Sequence, residues 1–200
     1  MKIVISRYNE DINWTKQFDN VLIVNKGEKI DNLNNQIFYP NVGREGHTIY
    51  KYIVDNYENL DDYIIFLQGN PFDHSPNIIN NLNKIIKEYN DNNFKLNFNF
   101  YYLSELIINS TVYIQSVSYP ENKYLFQSIY KIFGTNINYN TICMFGAGAQ
   151  FIVSRENILK RDKHFYQNLI QMLEYDINPY EGYDIERLHN YIFNYTPEYG

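Results

Sequence analysis

The sequence predicts an α/β fold in which a mainly parallel, twisted sheet is flanked by helices. Two observations lead to this prediction. Short apolar runs rich in β-branched residues alternate, through the first half of the chain, with stretches whose apolar residues recur at helical spacing. Such alternation is typical of parallel sheets. The 200 residues, 44% hydrophobic and 20% charged, suit one domain over residues 1–200.

The first half is predicted to hold four buried strands separated by helices. Each strand is a short apolar run bounded by polar or turn-forming residues, and the runs are 2–5, 21–24, 37–39 and 63–67. The helices are predicted from apolar stripes such as Ile49, Ile53 and Tyr57. They cover residues 11–18, 41–57 and 76–89.

The second half is predicted to be richer in helices. Residues 98–103 and 150–153 are predicted strands, whereas residues 107–121 are rich in β-forming types without a clear pattern. Helices are predicted over residues 124–133, 155–159, 165–175 and 183–193. No internal repeat or linker divides the chain.

Composition argues against several function classes. A net charge of −6, with no basic block, disfavours binding to nucleic acid. No apolar run approaches the ~20 residues that span a bilayer, and no signal peptide is visible, so we expect a soluble, cytoplasmic protein. Cys143 is the single cysteine, which excludes an intramolecular disulfide. The oligomeric state is not indicated.

The segment 41–47 predicts a turn that opens a helix and can hold an anion. Asn41 and Gly43 form the turn, and glycine can adopt positive φ and let a ligand approach the backbone. The first amides of a helix, together with its dipole, favour an anion. Arg44 adds donors suited to phosphate or carboxylate. The alternative is an ordinary helix start with a solvated Arg44–Glu45 pair.

A second polar segment follows the fourth predicted strand. It places Gln68, Asn70, Asp73 and His74 beyond a strand end, where open α/β sheets bind ligands. Asp73 and His74 can bind a divalent cation if water or phosphate oxygens complete its shell. Alternatively, Asp73 caps the next helix, with Pro76 in its first turn.

Two further segments can line the same edge. The loop after the first strand contains Arg7 and Asn9, which can contact a base, a ribose or a phosphate; the alternative is an ordinary polar loop. Gly146, Gly148 and Gln150 precede a strand, where small residues permit close approach of a ligand or of the backbone. Their spacing matches neither the dinucleotide-binding nor the P-loop pattern, which favours close packing.

The last predicted helix carries paired ionisable residues. Glu186 and His189 share one face at i, i+3 spacing, as do Asp184 and Arg187. A carboxylate here can be a general base, and His189 a base or a metal ligand. The alternative is exposed ion pairs, which stabilise little. The histidine and cysteine spacings do not predict a structural zinc site.

Taken together, these motifs resemble the DUF3431 family, a domain of unknown function. The resemblance covers nearly the whole chain. Its motifs are Arg7 to Glu10, Asn25 to Gly27, Pro40 to Glu45, Asp55 to Tyr57 with Leu60, Phe66 to His74, Gly148 to Ser154 and Glu186 to His189.

The layout also resembles GT-A glycosyltransferases. Those folds bind a sugar nucleotide with the end of strand one, a helix entered from an N-x-G-type turn, and a strand ending in a D-x-D metal site. The resemblance implies a nucleotide-binding half over residues 1–100 and an acceptor-side half over residues 101–200. Here Gln68 to Asn70 stands at the D-x-D position, although amide side chains are poor ligands for Mn²⁺ or Mg²⁺.

This departure leaves three alternatives for catalysis. In the first, Asp73 and His74, with His189, hold Mn²⁺ or Mg²⁺. In the second, the enzyme works without metal and Arg44 or Lys26 neutralises the diphosphate; in the third, catalysis has been lost.

The resemblance implies a transferase that moves a sugar from a nucleoside-diphosphate sugar to an acceptor hydroxyl, such as that of a glycan. Glu186 or Asp184 would be the base, and Gly146, Gly148 and Gln150 would line the acceptor side. The implied donor-binding residues are Arg7, Asn9, Lys26, Asn41, Gly43, Arg44, Gln68 and Asn70. The alternative is a non-catalytic sugar- or nucleotide-binding module that kept the fold.

Overall fold

The computed structural model describes residues 1–111, 125–134 and 142–194. In these residues a six-stranded, mostly parallel sheet is flanked by helices, which confirms the predicted fold class at this level. Its strands are β1 (Lys2–Arg7), β2 (Val21–Asn25), β3 (Gln36–Phe38), β4 (Tyr63–Gln68), β5 (Phe100–Tyr102) and β8 (Phe151–Ser154). A second, antiparallel sheet pairs β6 (Ile107–Thr111) with β7 (Ile142–Gly146).

Six α-helices lie in the described residues. They are α1 (Arg44–Asp55), α2 (Ile78–Asp91), α3 (Leu125–Phe133), α4 (Arg155–Ile158), α5 (Lys163–Leu173) and α6 (Tyr180–Phe193). The predicted helix over 11–18 is instead a 3₁₀ turn, Asn13–Gln17. The pattern also missed β7, and residues 112–121 of the ambiguous segment lie outside the described part of the chain.

The strand order creates a crevice at one edge of the sheet. The order is β3-β2-β1-β4-β8-β5, with β1 parallel to both β2 and β4. The chain therefore moves outward from β1 to β3 and then returns to place β4 on the other side of β1. Sheets of this kind bind ligands outside the carboxyl ends of the strands at such a switch point. β8 runs antiparallel between β4 and β5.

Both faces of the central strands are buried. Successive side chains of a strand point to opposite faces, and each face packs on a core of its own. In β1, Val4 joins a core shared with α1, α5 and α6, whereas Ile3 and Ile5 join a core shared with α2. Phe66 and Leu67 divide in the same way in β4. Strands buried on both faces are continuously apolar, which is why the sequence showed them as runs.

No helix among the described residues is long and apolar enough to cross a membrane.

Candidate functional site

Polar side chains from four parts of the chain meet at the carboxyl end of β4. Glu45, in the first turn of α1, accepts a hydrogen bond from Gln68 Nε2 at 3.2 Å. Gln68 Oε1 in turn accepts from Gln150 Nε2 at 3.4 Å. The switch-point cluster comprises Arg44, Glu45, Gln68, His74, Gly148, Gln150 and Glu186.

Glu186 reaches this cluster from α6. Its Oε1 accepts a hydrogen bond from the Gly148 backbone N–H at 2.6 Å. Burial raises the pKa of the Glu186 carboxyl, and the nearby Glu45 carboxylate raises it further. The Gly148 bond and the positive charge of Arg44 act in the opposite direction. The group is therefore a carboxyl that holds its proton more tightly than a solvated glutamate does.

Gly148 is needed for close packing within the cluster. Its φ is +84°, and a Cβ atom there would lie 2.6 Å from His74 Cδ2 and 3.0 Å from Gln150 Nε2. Gly146 also serves packing, because a Cβ there would lie 2.9 Å from Tyr102 Cδ1. Gln150 is fully buried and donates to the Pro71 carbonyl at 3.1 Å. The three predicted acceptor-side residues thus pack against the protein itself.

Arg44 is held at the opening of the cluster in a strained conformation. Its φ of +50° is in the left-handed region, which costs a non-glycine residue about 1–2 kcal/mol. The guanidinium lies 4.5 Å from the centre of the Tyr183 ring and donates to Asn178 Oδ1 at 3.3 Å. Its Nε is 3.6 Å from Glu45 Oε2. The pair that Arg44 forms with Glu45 is thus half-buried, unlike the solvated pair of the alternative interpretation.

The first two amides at the start of α1, those of Gly43 and Arg44, bond to the protein itself. The Gly43 N–H donates to the Asp176 carbonyl at 2.8 Å, and the Arg44 N–H donates to the Ile177 carbonyl at 3.2 Å. A Cβ at Gly43 would lie 2.9 Å from the Leu173 carbonyl oxygen. The segment between α5 and α6 therefore takes up two of the donors that were expected to face an anion. Asn41 lies in the bend before this turn.

Lys26 supplies the second positive charge near the start of α1. Its Nζ donates to the Val42 carbonyl at 2.7 Å and to the Arg44 carbonyl. Burial lowers the pKa of this ammonium to about 8, against the opposing effect of Glu45. Lys26 therefore still carries its positive charge at pH 7, and an anion beside it would strengthen that charge state.

Arg7 braces two loops. It is 8% exposed, and its NH1 donates to Asn25 Oδ1 at 2.9 Å and to the Glu28 carbonyl at 2.9 Å. Its Nε donates to the Glu10 carbonyl at 3.0 Å. Asn9 is exposed and accepts from the Glu28 N–H at 3.0 Å. These contacts hold the loops after β1 and β2 together.

The metal set implied by the resemblance is not assembled. His189 is 1% exposed, and its ring lies 4.7 Å from that of Phe151 in the core. Burial lowers the pKa of His189 to about 3. No group of three His, Cys, Asp or Glu side chains in the described residues is arranged to hold a metal ion. Asp73 is exposed, and His74 has a buried Nδ1 that finds no hydrogen-bond partner among the described residues.

Two alternatives, one for Asp73 and one for α6, are wrong. Asp73 does not cap α2, because the N-cap residue is Asn77 and no side chain bonds the first turn. The charged residues of α6 are not exposed ion pairs: Asp184 is 4% exposed and Arg187 is 2% exposed. Asp184 accepts from Ser128 Oγ at 2.5 Å, and burial raises the pKa of this carboxyl to about 6. It faces α3 and not the switch-point cluster.

The sequence reasoning did not include Glu45 and Tyr183 among the site residues. Glu45 was within a recognised motif, but its partner Gln68 lies in a different motif. Tyr183 gave no signal beyond its place in α6. Contacts between motifs, more than the motifs themselves, define the cluster.

Comparison with known proteins identifies a family for the chain. No curated protein and no solved structure matches the chain significantly. A family model described as a protein of unknown function, DUF3431, matches residues 3–199. Because this match spans nearly the entire sequence, the chain belongs to the DUF3431 family.

Proposed function

We propose that the protein is a glycosyltransferase of GT-A type, which moves a sugar from a nucleoside-diphosphate sugar to an acceptor hydroxyl. The proposal rests on the environment of the Glu186 carboxyl. A buried carboxyl with a raised pKa, fixed by the Gly148 N–H at the switch point of an open α/β sheet, has the properties of a general base.

In the proposed reaction, Glu186 accepts the proton of the acceptor hydroxyl as that oxygen bonds to the anomeric carbon. The bond from the anomeric carbon to the diphosphate oxygen breaks, and its electron pair leaves with the diphosphate. Arg44, whose charge acts on Glu186, and Lys26, at the start of α1, would stabilise the developing charge. Stabilising that charge lowers the barrier of the transfer step.

A divalent cation fits this edge only with help from the substrate. Asp73 and His74 provide one carboxylate and one imidazole, and phosphate or water oxygens would complete the shell. When bound, Mn²⁺ or Mg²⁺ would neutralise the leaving diphosphate. The protein would contribute Asp73 from the exposed turn and His74 from beside Gly148.

The alternative function is a non-catalytic sugar- or nucleotide-binding module. Two observations favour it. The Gly43 and Arg44 amides at the start of α1 bond to the Asp176 and Ile177 carbonyls, and the donors of Arg7 bond to neighbouring loops. Both features reduce the positive potential expected at a diphosphate site.

A panel of sugar nucleotides separates the two functions. We expect one donor to raise the melting temperature, by the equivalent of about 2.7 kcal/mol at 100 times its Kd, and to release or transfer its sugar. Glu186→Gln should keep the thermal shift and lose turnover by at least about 100-fold. Glu156→Gln, an exposed carboxylate on α4, is the matched control.

Each outcome of this experiment has a defined meaning. No shift with any donor, with or without Mn²⁺, contradicts the transferase and a module that binds sugar nucleotides. A shift without sugar release or transfer by the unmodified protein favours the binding module. Loss of a Mn²⁺-dependent shift in Asp73→Ala would identify the metal ligand.

A further inference from the structure

A surface depression lies beside the end of β4, separate from Glu186. It has a volume of about 470 Å³ and is lined by Glu10, Asp11, Trp14, Asn70 and Phe72. This is within the size range of small-molecule sites. Trp14 and Phe72 pack on the core shared with α2, whereas the switch-point cluster lies on the side of α1 and α6.

One wall of the depression is aromatic and rigid. Trp14 Nε1 donates to the Gly69 carbonyl at 2.9 Å, which fixes the indole orientation. The indole also meets the Phe72 ring edge to face at 5.8 Å between ring centres. Since its N–H is engaged with the protein, the indole contributes an apolar surface to a ligand.

The other wall carries hydrogen-bonding groups that are held in place. Glu10 Oε2 accepts from the Tyr8 N–H at 2.7 Å, and Asp11 Oδ1 accepts from the Asn13 N–H at 2.8 Å. Each carboxylate is thus oriented through one of its oxygens. Asn70 is exposed and adds an amide, which both donates and accepts.

The chemistry of these walls selects among ligands. No lysine or arginine lines the depression, and two carboxylates disfavour a phosphate. The carboxylates and aromatic rings would also attract an ammonium group, so choline is titrated alongside the sugars as the competing ligand. A sugar matches both walls, because its hydroxyls donate and accept while the C–H face of its ring packs on an aromatic surface.

We propose that this depression binds a neutral sugar ring, with Trp14 as the platform and Asp11 and Asn70 as hydrogen-bonding partners of its hydroxyls. The site does not depend on the transferase proposal, because a sugar bound here need not be transferred. It differs from the acceptor side implied by the resemblance, where Gly146 packs against Tyr102.

The protein contains one tryptophan, so its fluorescence reports directly on this site. We would titrate the protein with glucose, galactose, mannose and N-acetylglucosamine in the absence of any nucleotide. At least one sugar should change the Trp14 emission saturably. Asp11→Asn and Asn70→Ala keep the reporter and should each weaken binding about tenfold. Glu156→Gln should bind as the unmodified protein does.

Three results would overturn the proposal. The first is the absence of a saturable change up to about 50 mM sugar, a concentration well above a weak Kd of about 1 mM. The second is equal affinity in Asn70→Ala and the unmodified protein, and the third is a response to choline without a response to sugars. Sugar binding without any stabilisation by sugar nucleotides would support this site and count against the transferase, so the two proposals fail separately.

Discussion

Gly148 joins three parts of the switch-point cluster because it has no side chain. Its N–H binds Glu186, and its Cα lies against His74 and Gln150. A side chain here would both strain the backbone and displace the imidazole. The position of the Glu186 carboxylate therefore depends on one residue far from it in sequence.

Gly148→Ala should lower the free energy of unfolding by about 2–4 kcal/mol, since the strain of φ +84° adds to the 2.6 Å contact with His74. Gly134→Ala is the matched control: Gly134 also has positive φ, +68°, but a Cβ there meets nothing within 4 Å. The control should lose only about 1 kcal/mol. Urea denaturation measures both, and equal losses would show that the contact with His74 is unimportant.

Asp184 should make stability depend on pH. Its pKa is raised to about 6 in the folded protein, against about 3.9 when unfolded, so the folded state binds its proton more tightly. The stabilisation is complete below about pH 4 and is lost as the pH rises to about 6. The Asp184→Asn variant should not lose stability in this way, because its amide does not titrate, and its amide oxygen can still accept the hydrogen bond from Ser128.

The measurement is urea denaturation of both proteins at pH 4, 5, 6 and 7. We expect the stability of Asp184→Asn relative to the unmodified protein to increase by about 2–3 kcal/mol over this range. His47 and His189, whose pKa values are lowered by burial, titrate in both proteins and cancel in the difference. A difference that is independent of pH would contradict the assignment.

At the scale of elements, α6 connects the site to the core. Glu186 faces the switch-point cluster, whereas His189, on the next turn, lies among the rings of Tyr50, Phe151 and Phe193. Both His189 ring nitrogens are buried, and neither finds a hydrogen-bond partner among the described residues. A buried polar atom without a partner costs about 1–3 kcal/mol. The unpartnered imidazole therefore lowers the stability that the packing of this end of α6 provides.

His189→Leu should raise the free energy of unfolding at pH 7 by about 1 kcal/mol or more, because it removes two buried nitrogens and keeps most of the volume. His164→Leu, on the exposed face of α5, should change stability by less than about 0.5 kcal/mol. Thermal or urea unfolding of the two variants provides the comparison. A marked destabilisation by His189→Leu would contradict the prediction.

At the scale of the whole molecule, Cys143 reports on the integrity of the second sheet. The thiol is fully buried on β7, and burial raises its pKa to about 11. We expect a disulfide reagent at pH 8 to label the native protein at least about 100-fold more slowly than the urea-unfolded protein, because the thiolate is the reactive form. Absorbance of the released thiol measures both rates. Rapid labelling of the native protein would mean that β6 and β7 separate readily.

The sequence patterns predicted the strands and helices, whose formation depends on residues close together in the sequence. β1, β2 and β4 appeared as apolar runs, and α1 and α2 as amphipathic stripes, because burial imposes those periods. Contacts between distant segments could not be predicted in this way. Two examples are the hydrogen bonds that the Asp176 and Ile177 carbonyls accept from the start of α1 and the bond from Gly148 to Glu186. Nothing local distinguishes His189, in the core, from Glu186 in the site.

The antiparallel position of β8 has a consequence for the growing chain. β4 pairs with β8 through Phe66 and Phe151, and, within the described part of the chain, β5 joins the sheet only through β8. During synthesis, the apolar edge of β4 therefore remains without its final neighbour until residue 151 has left the ribosome. An unpaired strand edge of this kind invites pairing with other chains. A nascent protein arrested before β8 should therefore be a substrate for chaperones that bind exposed strands.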